Sequence, residues 1–233
     1  MYIFPIGQLD ALILVQVTGW EQLPNLHDAP GVGRITIVDS WRDDHTHTSL
    51  AVSPYVHTLD VSGFTSIADL TSPTLLILNI SCHGLSLQSV SALIQRSHCA
   101  LHTLAPSEVD FRGTELLHLL PDLPALSSLT LAELLPYAIS DTVLDALTLR
   151  TEDALSIHAD RPPALPKLQH ITIVGSYIFR DRALVRMLSS RGPHARNVAQ
   201  LRALSTHGIK VGLVFLGPGK VLLAVNSSKF GWM

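Results

Sequence analysis

The sequence predicts an α/β fold, an irregular leucine-rich-repeat solenoid, from three observations. A six-residue phrase, L-x-x-L-x-L with other aliphatic residues allowed, recurs along most of the chain. Its middle aliphatic residue falls at positions 12, 35, 59, 78, 104, 129 and 171, in steps of 23, 24, 19, 26, 25 and 42. Several phrases are followed by segments with helical periodicity. Such a period predicts stacked strand–helix units, with parallel strands on the concave face and helices on the convex face.

Each phrase predicts a short strand with one buried side, because alternate residues of a strand point to the same side. Parallel strands of this kind require right-handed crossover connections, which stack the units in chain order. A weaker copy lies at Leu101-Leu104. The full copies are Leu9-Leu12-Leu14, Val32-Ile35-Ile37, Val56-Leu59-Val61, Leu75-Leu78-Ile80, Leu126-Leu129-Leu131 and Leu168-Ile171-Ile173.

The segments that follow the strands predict helices with recognisable ends. Ser86 is the predicted N-cap of a helix that reaches Arg96, since the aliphatic residues of this segment recur at helical spacing. Thr114 is the predicted cap of a second helix, which Pro121 ends because proline cannot continue it.

The long step from 129 to 171 predicts an additional helix rather than a missing strand, with Asp141 capping a run that ends at Leu147. A further helix is predicted over residues 181–189, closed by Gly192. The last predicted helix covers residues 195–206.

Near its C-terminal end the sequence leaves the repeat pattern and becomes almost continuously apolar. We assign residues 1–212 to the solenoid and residues 213–233 to an apolar C-terminal tail that is a candidate capping hairpin. Apolar arms at 210–216 and 221–225 flank a glycine-proline turn. A cap would cover the exposed core of the terminal repeat, whereas an unpacked tail would promote aggregation.

Composition limits the function classes. Net charge is −3 and only 15% of residues are charged, so no basic surface for nucleic acid is expected. Two cysteines are too few for a disulfide framework. No apolar run reaches the length of about 18 residues that a membrane helix needs. We expect no nucleic acid and no membrane as partners, and a cytoplasmic or nuclear location.

Three local patterns carry candidate chemistry, and each has a simpler interpretation. Residues 43–47, Asp-Asp-His-Thr-His, have metal-ligand side chains but no fourth ligand nearby, which favours a solvated loop. Residues 212–217 have the glycine spacing of a phosphate-binding loop, but Pro218 occupies the place of its lysine and Val221 begins a predicted strand instead of a helix. Cys99 lies beside His98, but a buried cysteine is a common core residue. We therefore predict no catalytic, cofactor-binding or metal-binding residue, no cofactor and no enzyme.

The positions of the phrase that are not aliphatic point away from the predicted core and onto the concave side of the strands. They form a small polar surface whose strong features are Arg34, Asp60 and His170. Exposed strand residues are polar in most proteins, which is one interpretation. The other is that this surface binds an unknown protein partner through Arg34, Thr36, Thr58, Asp60, Asn79, Ser128, Thr130, His170 and Thr172.

Four segments carry a resemblance to a family. Residues 113–131, 139–147, 181–191 and 201–211 resemble the repeat body and the closing segment of fungal F-box/leucine-rich-repeat proteins. The resemblance covers most of residues 5–212 and rests on the order of the segments along the chain. It implies a ribonuclease-inhibitor-like fold and the substrate-recognition part of a ubiquitin-ligase receptor.

Members of this family dock the Skp adaptor of a cullin ligase through an F-box that precedes the repeats. Here Leu23-Pro24 is followed by residues that do not predict F-box helices, so the Skp adaptor and cullin are expected only if an F-box is supplied elsewhere. The chain also departs from regular repeats, because Phe64, His83, Leu134 and Ser176 replace the expected asparagine. The alternatives are a free-standing repeat scaffold unrelated to ubiquitination and, less favoured, a repeat-fold enzyme.

Overall fold

The computed structural model describes two compact units, Met1–Phe111 and Arg112–Met233. The residues that it describes form an α/β protein, in which the predicted phrases give seven parallel strands, β1–β7, and four helices follow or precede them. The described residues are 9–15, 30–38, 54–63, 67, 70–83, 85–132, 138–149, 165–174, 179–191, 203–206, 209–215 and 221–225.

In the first unit, the described residues form five parallel strands that pair in chain order, and one helix, α1 (Leu87–Ser97), between the last two strands. The strands are β1 (Ala11–Val15), β2 (Arg34–Val38), β3 (Thr58–Ser62), β4 (Ile77–Ser81) and β5 (Thr103–Ser107). The predicted strand phrases and their parallel arrangement are therefore confirmed in this unit.

The aliphatic residues of the phrase align from strand to strand and form the core. Leu12, Ile35, Leu59, Leu78 and Leu104 are successive register partners. Those in β2–β5 are buried, whereas Leu12 in the first strand is half-buried. Because each phrase occupies the same register position, every strand buries the same side and leaves its polar positions on the other.

The connection into each strand repeats at the level of single hydrogen bonds. Two successive backbone N–H groups donate to one carbonyl oxygen of the preceding copy, at N–O distances between 2.8 and 3.3 Å. The two donor residues and the residue whose carbonyl accepts are, in order, Gly33 and Arg34 with Asp10, His57 and Thr58 with Gly33, Leu76 and Ile77 with His57, His102 and Thr103 with Leu76, and Gln169 and His170 with Ser127.

A proline-containing turn precedes several of these strands and was not among the sequence predictions. Backbone bonds close the turns 72–75, 123–126 and 165–168, where the last N–H donates to the first carbonyl. Proline occupies the second position of each turn, at 73, 124 and 166, and its fixed φ suits that position. Prolines 30 and 54 stand at the same phase of the sequence repeat. A Pro-x-aliphatic pattern therefore marks most strand entries.

Helix α1 begins as predicted. The Ser86 hydroxyl accepts a hydrogen bond from the backbone N–H of Gln88 at 3.0 Å, and the helix ends at His98 in a left-handed conformation. Its apolar side is buried at Leu87, Val90, Leu93 and Ile94. A buried hydroxyl at Ser97 accepts a bond from the backbone N–H of Ser72, which joins the helix to the turn before β4.

The second unit contains parallel strands β6 (Ser128–Ala132) and β7 (His170–Val174), and β8 (Ala203–Thr206) pairs parallel to β7. Strands β9 (Ile209–Phe215) and β10 (Val221–Val225) follow as an antiparallel pair, with β9 also antiparallel to β8. The two apolar arms recognised in the sequence thus pair with each other. Their role as a cap stays a prediction.

The described residues of the second unit form three helices. A 3-10 turn (Leu120–Asp122) directly follows the first of them. The helices are α2 (Gly113–Leu119), α3 (Asp141–Leu147) and α4 (Asp181–Ser190). A β-carbon at Gly113 would lie 2.7 Å from the carbonyl oxygen of Ala138, so only glycine allows α2 to start this close to the segment before α3.

Two predicted caps and the end of one predicted helix are wrong; residues 195–202 of that helix lie outside the described residues. Thr114 lies inside α2, whose N-cap is Arg112, and Asp141 is the first residue of α3, whose N-cap is Ser140. Instead of capping, Asp141 accepts a 2.7 Å bond from the backbone N–H of Arg180, which precedes α4. Residues 203–206 form strand β8 because their backbone completes the open edge of β7, which outweighs the local helical periodicity.

One charged side chain is part of the second unit's core. Arg191 is fully buried, and its guanidinium donates to the carbonyl oxygens of Leu147 at 2.8 Å and Leu165 at 3.1 Å. Burial lowers the pKa of Arg191 to about 10, so it remains charged at neutral pH. The cation lies at the C-terminal end of α3, where the helix carbonyls favour positive charge.

Candidate partner-binding face

The predicted partner-binding residues of the first unit lie on the side of its strands opposite the core. We call this set, Arg34, Thr36, Thr58, Asp60 and Asn79, the first-unit strand face. Strand register places Thr36, Asp60 and Asn79 in one row across β2, β3 and β4, and Arg34 beside Thr58 in the next row. All five are exposed or half-buried, whereas their neighbours along each strand at 35, 37, 59, 61, 78 and 80 are buried.

Asp60 is the centre of a hydrogen-bond network that spans three strands. Arg34 Nε donates to Asp60 Oδ2 at 2.8 Å, and the Thr36 hydroxyl donates to the same oxygen at 3.2 Å. Asn79 Nδ2 donates to Asp60 Oδ1 at 2.5 Å. Both carboxylate oxygens are therefore engaged, and residues from β2 and β4 hold the side chain of the strand between them.

The network keeps Asp60 ionised. Burial raises the pKa of this carboxyl, since its side chain is only 17% exposed. The hydrogen bonds from Asn79 and Arg34, the positive charge of Arg34 and the bond from Thr36 outweigh burial, so the pKa of Asp60 lies below its ordinary value. The Asp60 carboxylate thus stays negatively charged, and it is less exposed than the Arg34 guanidinium with which it pairs.

Arg34 is oriented by this ion pair without being buried by it. Its side chain is 58% exposed, and its Nε carries the bond to Asp60. Within the described part of the chain, Nη1 and Nη2 make no hydrogen bond. A guanidinium offers five N–H donors in a planar fork, so the exposed Arg34 side chain has more donors than its bond to Asp60 uses.

Strand β1 adds apolar residues that the sequence reasoning missed. Ile13 is 67% exposed and Val15 is 61% exposed, and register places them beside Thr36 and Val38 of β2. Ile13 occupies a position that holds only small or polar residues in the later copies, whereas the position of Val15 is also valine in β2 and β7. Comparing this position across the copies would have found Ile13, because the first copy alone has a large aliphatic residue there.

The predicted residues of the second unit form a separate pair of rows. Ser128 of β6 is the register partner of His170 of β7, and Thr130 is the partner of Thr172. His170 is exposed and the other three are half-buried. The register thus brings each pair together, but these rows contain no acidic partner comparable to Asp60.

The patterns that were rejected as catalytic gain no support. Burial raises the pKa of the Cys99 thiol, which disfavours the nucleophilic thiolate, and the neighbouring His98 is the exposed C-cap of α1. Across the described ranges, no group of three or more metal-ligating side chains occurs. Residues 43–47 and the glycine-proline turn at 217–220 lie outside the described residues.

No helix in the part of the chain that the structure describes has the length and apolar character needed to cross a bilayer. The chain matches no protein-family model, no curated protein and no solved structure.

Proposed function

We propose that this chain is a protein-interaction module that binds a protein partner through the polar side of its parallel strands. The observation that supports this most is the network around Asp60, which holds Arg34 in place on a sheet surface rather than in a core. Ordering such side chains before binding lowers the entropy that association costs. Rigid strands also position contact residues more precisely than loops do.

The repeated geometry supports a solenoid as the scaffold of this module. The paired N–H contacts and the proline turns recur at one phase, and every phrase occupies the same register position. Stacked repeats with these properties build extended surfaces from equivalent strand positions. In a solenoid, the first-unit strand face and the rows of Ser128, Thr130, His170 and Thr172 would line its concave side.

We further propose that the module catalyses nothing and that it is the substrate-recognition part of an F-box-type receptor. The second proposal rests on the resemblance of the repeat segments alone. Its alternative is a scaffold unrelated to ubiquitination. The two differ in their partners, because only a receptor joined to an F-box would associate with the Skp adaptor and a cullin.

The test is quantitative affinity purification of the tagged chain from the cells that produce it, with mass spectrometry of the bound proteins. The wild-type chain is compared with the triple variant R34Q/D60N/H170A. The matched control, R182Q/E115Q/H118A, makes the same types of change on helices α2 and α4. We call R34Q/D60N/H170A the strand variant. We expect a specific partner to be lost with the strand variant and retained with the control.

Each outcome decides a separate part of the proposal. A partner that binds the strand variant as well as it binds the wild-type chain would overturn the assignment of the surface. Recovery of the Skp adaptor and a cullin would support the receptor, and a partner without them would support the scaffold. Recovery of chaperones alone would contradict a binding function. Circular dichroism of both variants checks that the fold persists.

A further inference from the structure

We propose that the partner presents a carboxylate to Arg34 and an aliphatic side chain to Ile13 and Val15, as an extended acidic-apolar peptide segment. The inference rests on the proposed function and names the chemistry that the strand surface would recognise. It concerns one corner of the first unit, where β1 and β2 lie side by side. We call Ile13, Val15 and Arg34 together the β1–β2 corner.

The guanidinium of Arg34 has the geometry for a carboxylate. Its Nε donates to Asp60 Oδ2 at 2.8 Å, which restricts the plane of the group, and the side chain is 58% exposed, so a carboxylate from solvent can reach it. Arginine and a carboxylate can form two parallel N–H···O bonds, and such charge-assisted bonds are about twice as strong as neutral ones. Both carboxylate oxygens of Asp60 already accept hydrogen bonds, from Arg34 Nε, Thr36 and Asn79. The terminal nitrogens of Arg34 are therefore not required to satisfy them.

Charge selects a peptide carboxylate over a nucleic acid. The ion pair of Arg34 with Asp60 leaves no excess positive charge beside the β1–β2 corner, whereas the phosphate backbone of a nucleic acid is bound mainly through clustered, unpaired cations. The whole chain carries a net charge of −3, so it has no long-range attraction for a polyanion. A single carboxylate can still gain the two directed bonds.

Ile13 and Val15, the apolar residues of the β1–β2 corner, determine where the peptide segment should carry its aliphatic side chain. Register pairs Ala11 with Arg34, so Ile13 lies two residues further along the neighbouring strand. Standard strand spacings place the two positions about 8 Å apart. In an extended peptide, residues i and i+2 point to the same side and lie about 7 Å apart. An acidic residue two positions from an aliphatic residue therefore matches Arg34 and Ile13.

The test uses a phage-displayed library of random linear peptides selected on the full-length chain. We expect enrichment of peptides with Asp or Glu two positions from Ile, Leu or Val. One enriched peptide is then synthesised and its affinity measured by calorimetry. Arg34→Gln should weaken it about tenfold, corresponding to about 1.4 kcal/mol. The matched change Arg182→Gln, at an exposed position of α4, should leave the affinity unchanged.

Two further variants separate the parts of the corner. Ile13→Ser should weaken the peptide while keeping its dependence on the acidic residue. Arg34→Glu should reverse the preference, so that the same peptide with Lys in place of its acid binds more tightly than the original. Circular dichroism verifies that each variant is folded.

The outcomes separate this inference from the proposed function. If the enriched peptides lack an acidic residue, or if Arg34→Gln binds them equally well, the carboxylate assignment is overturned. The proposed function then stands on its own purification result. If the wild-type chain enriches no peptide, the inference fails. If the strand variant also retains every partner in the purification, the proposed function fails with it.

Discussion

Asp60 makes the stability of the first unit depend on pH in a defined direction. Its folded-state pKa is lowered, so the carboxylate stabilises the fold fully above the unfolded pKa of about 3.9 and loses that effect as pH falls through the folded pKa. Asp60→Asn should cost about 1 kcal/mol at pH 7 and less near pH 3, because below the unfolded pKa the wild-type carboxylate begins to lose its stabilising effect. Urea unfolding of both proteins at the two pH values measures this.

Glu115→Gln reports the general effect of removing one acidic charge and serves as the control. A stability difference between wild type and Asp60→Asn that stays constant from pH 7 to pH 3 would contradict the network. The arginine partner is more than half exposed, so solvent screening keeps the expected effect small.

At the scale of the element, the N-terminal cap of α1 is the local feature that the sequence predicted most directly. Ser86→Ala removes the acceptor for the N–H of Gln88 and should lower the free energy of unfolding by about 1 kcal/mol. Ser86→Asp should restore most of it. Ser89→Ala is the matched control inside the helix, where alanine is favourable. Equal melting temperatures of Ser86→Ala and wild type would show that the cap contributes nothing.

The elements also show where sequence reasoning succeeds and where it stops. The aliphatic phrases located β1–β7, because burying every second residue leaves a pattern that no other element shares. Helix starts at Thr114 and Asp141 were misplaced, since the cap depends on the extended backbone of Arg112 and Ser140, which have no strong sequence signal. Strand β8 was missed because pairing with β7 is a non-local interaction.

The candidate site, too, was predictable from the sequence only in part. Arg34, Asp60 and Asn79 were identified because equivalent positions of each phrase fall on one side of the strands. The contact of Arg34 with Asp60 is diagonal, from one row to the next, and a long side chain can reach several neighbours. The choice among them depends on the surrounding donors, which the linear pattern does not contain.

At the scale of the whole molecule, repetition predicts how a local defect should spread. In a stacked repeat array, each unit is stabilised mainly by its nearest neighbours, so damage should weaken adjacent repeats first. Leu78 is fully buried in β4, and Leu78→Ala should cost about 2–5 kcal/mol. Hydrogen exchange should then accelerate most in β3, β4, β5 and α1. Leu129→Ala, an equally buried site in β6, should accelerate exchange most in β6, β7 and α2 instead.

This pair of variants distinguishes a repeat array from a single cooperative core, because both substitutions remove the same side chain from the same register position of the phrase. Mass spectrometry of deuterium uptake, resolved to peptides, gives the pattern for each. If both variants accelerate exchange equally in all described strands, the chain unfolds as one unit and the solenoid proposal loses its support. Distinct patterns centred on β4 and β6 would instead mean that each repeat depends on its sequence neighbours, which is the property that lets such a scaffold extend its binding surface by adding strands.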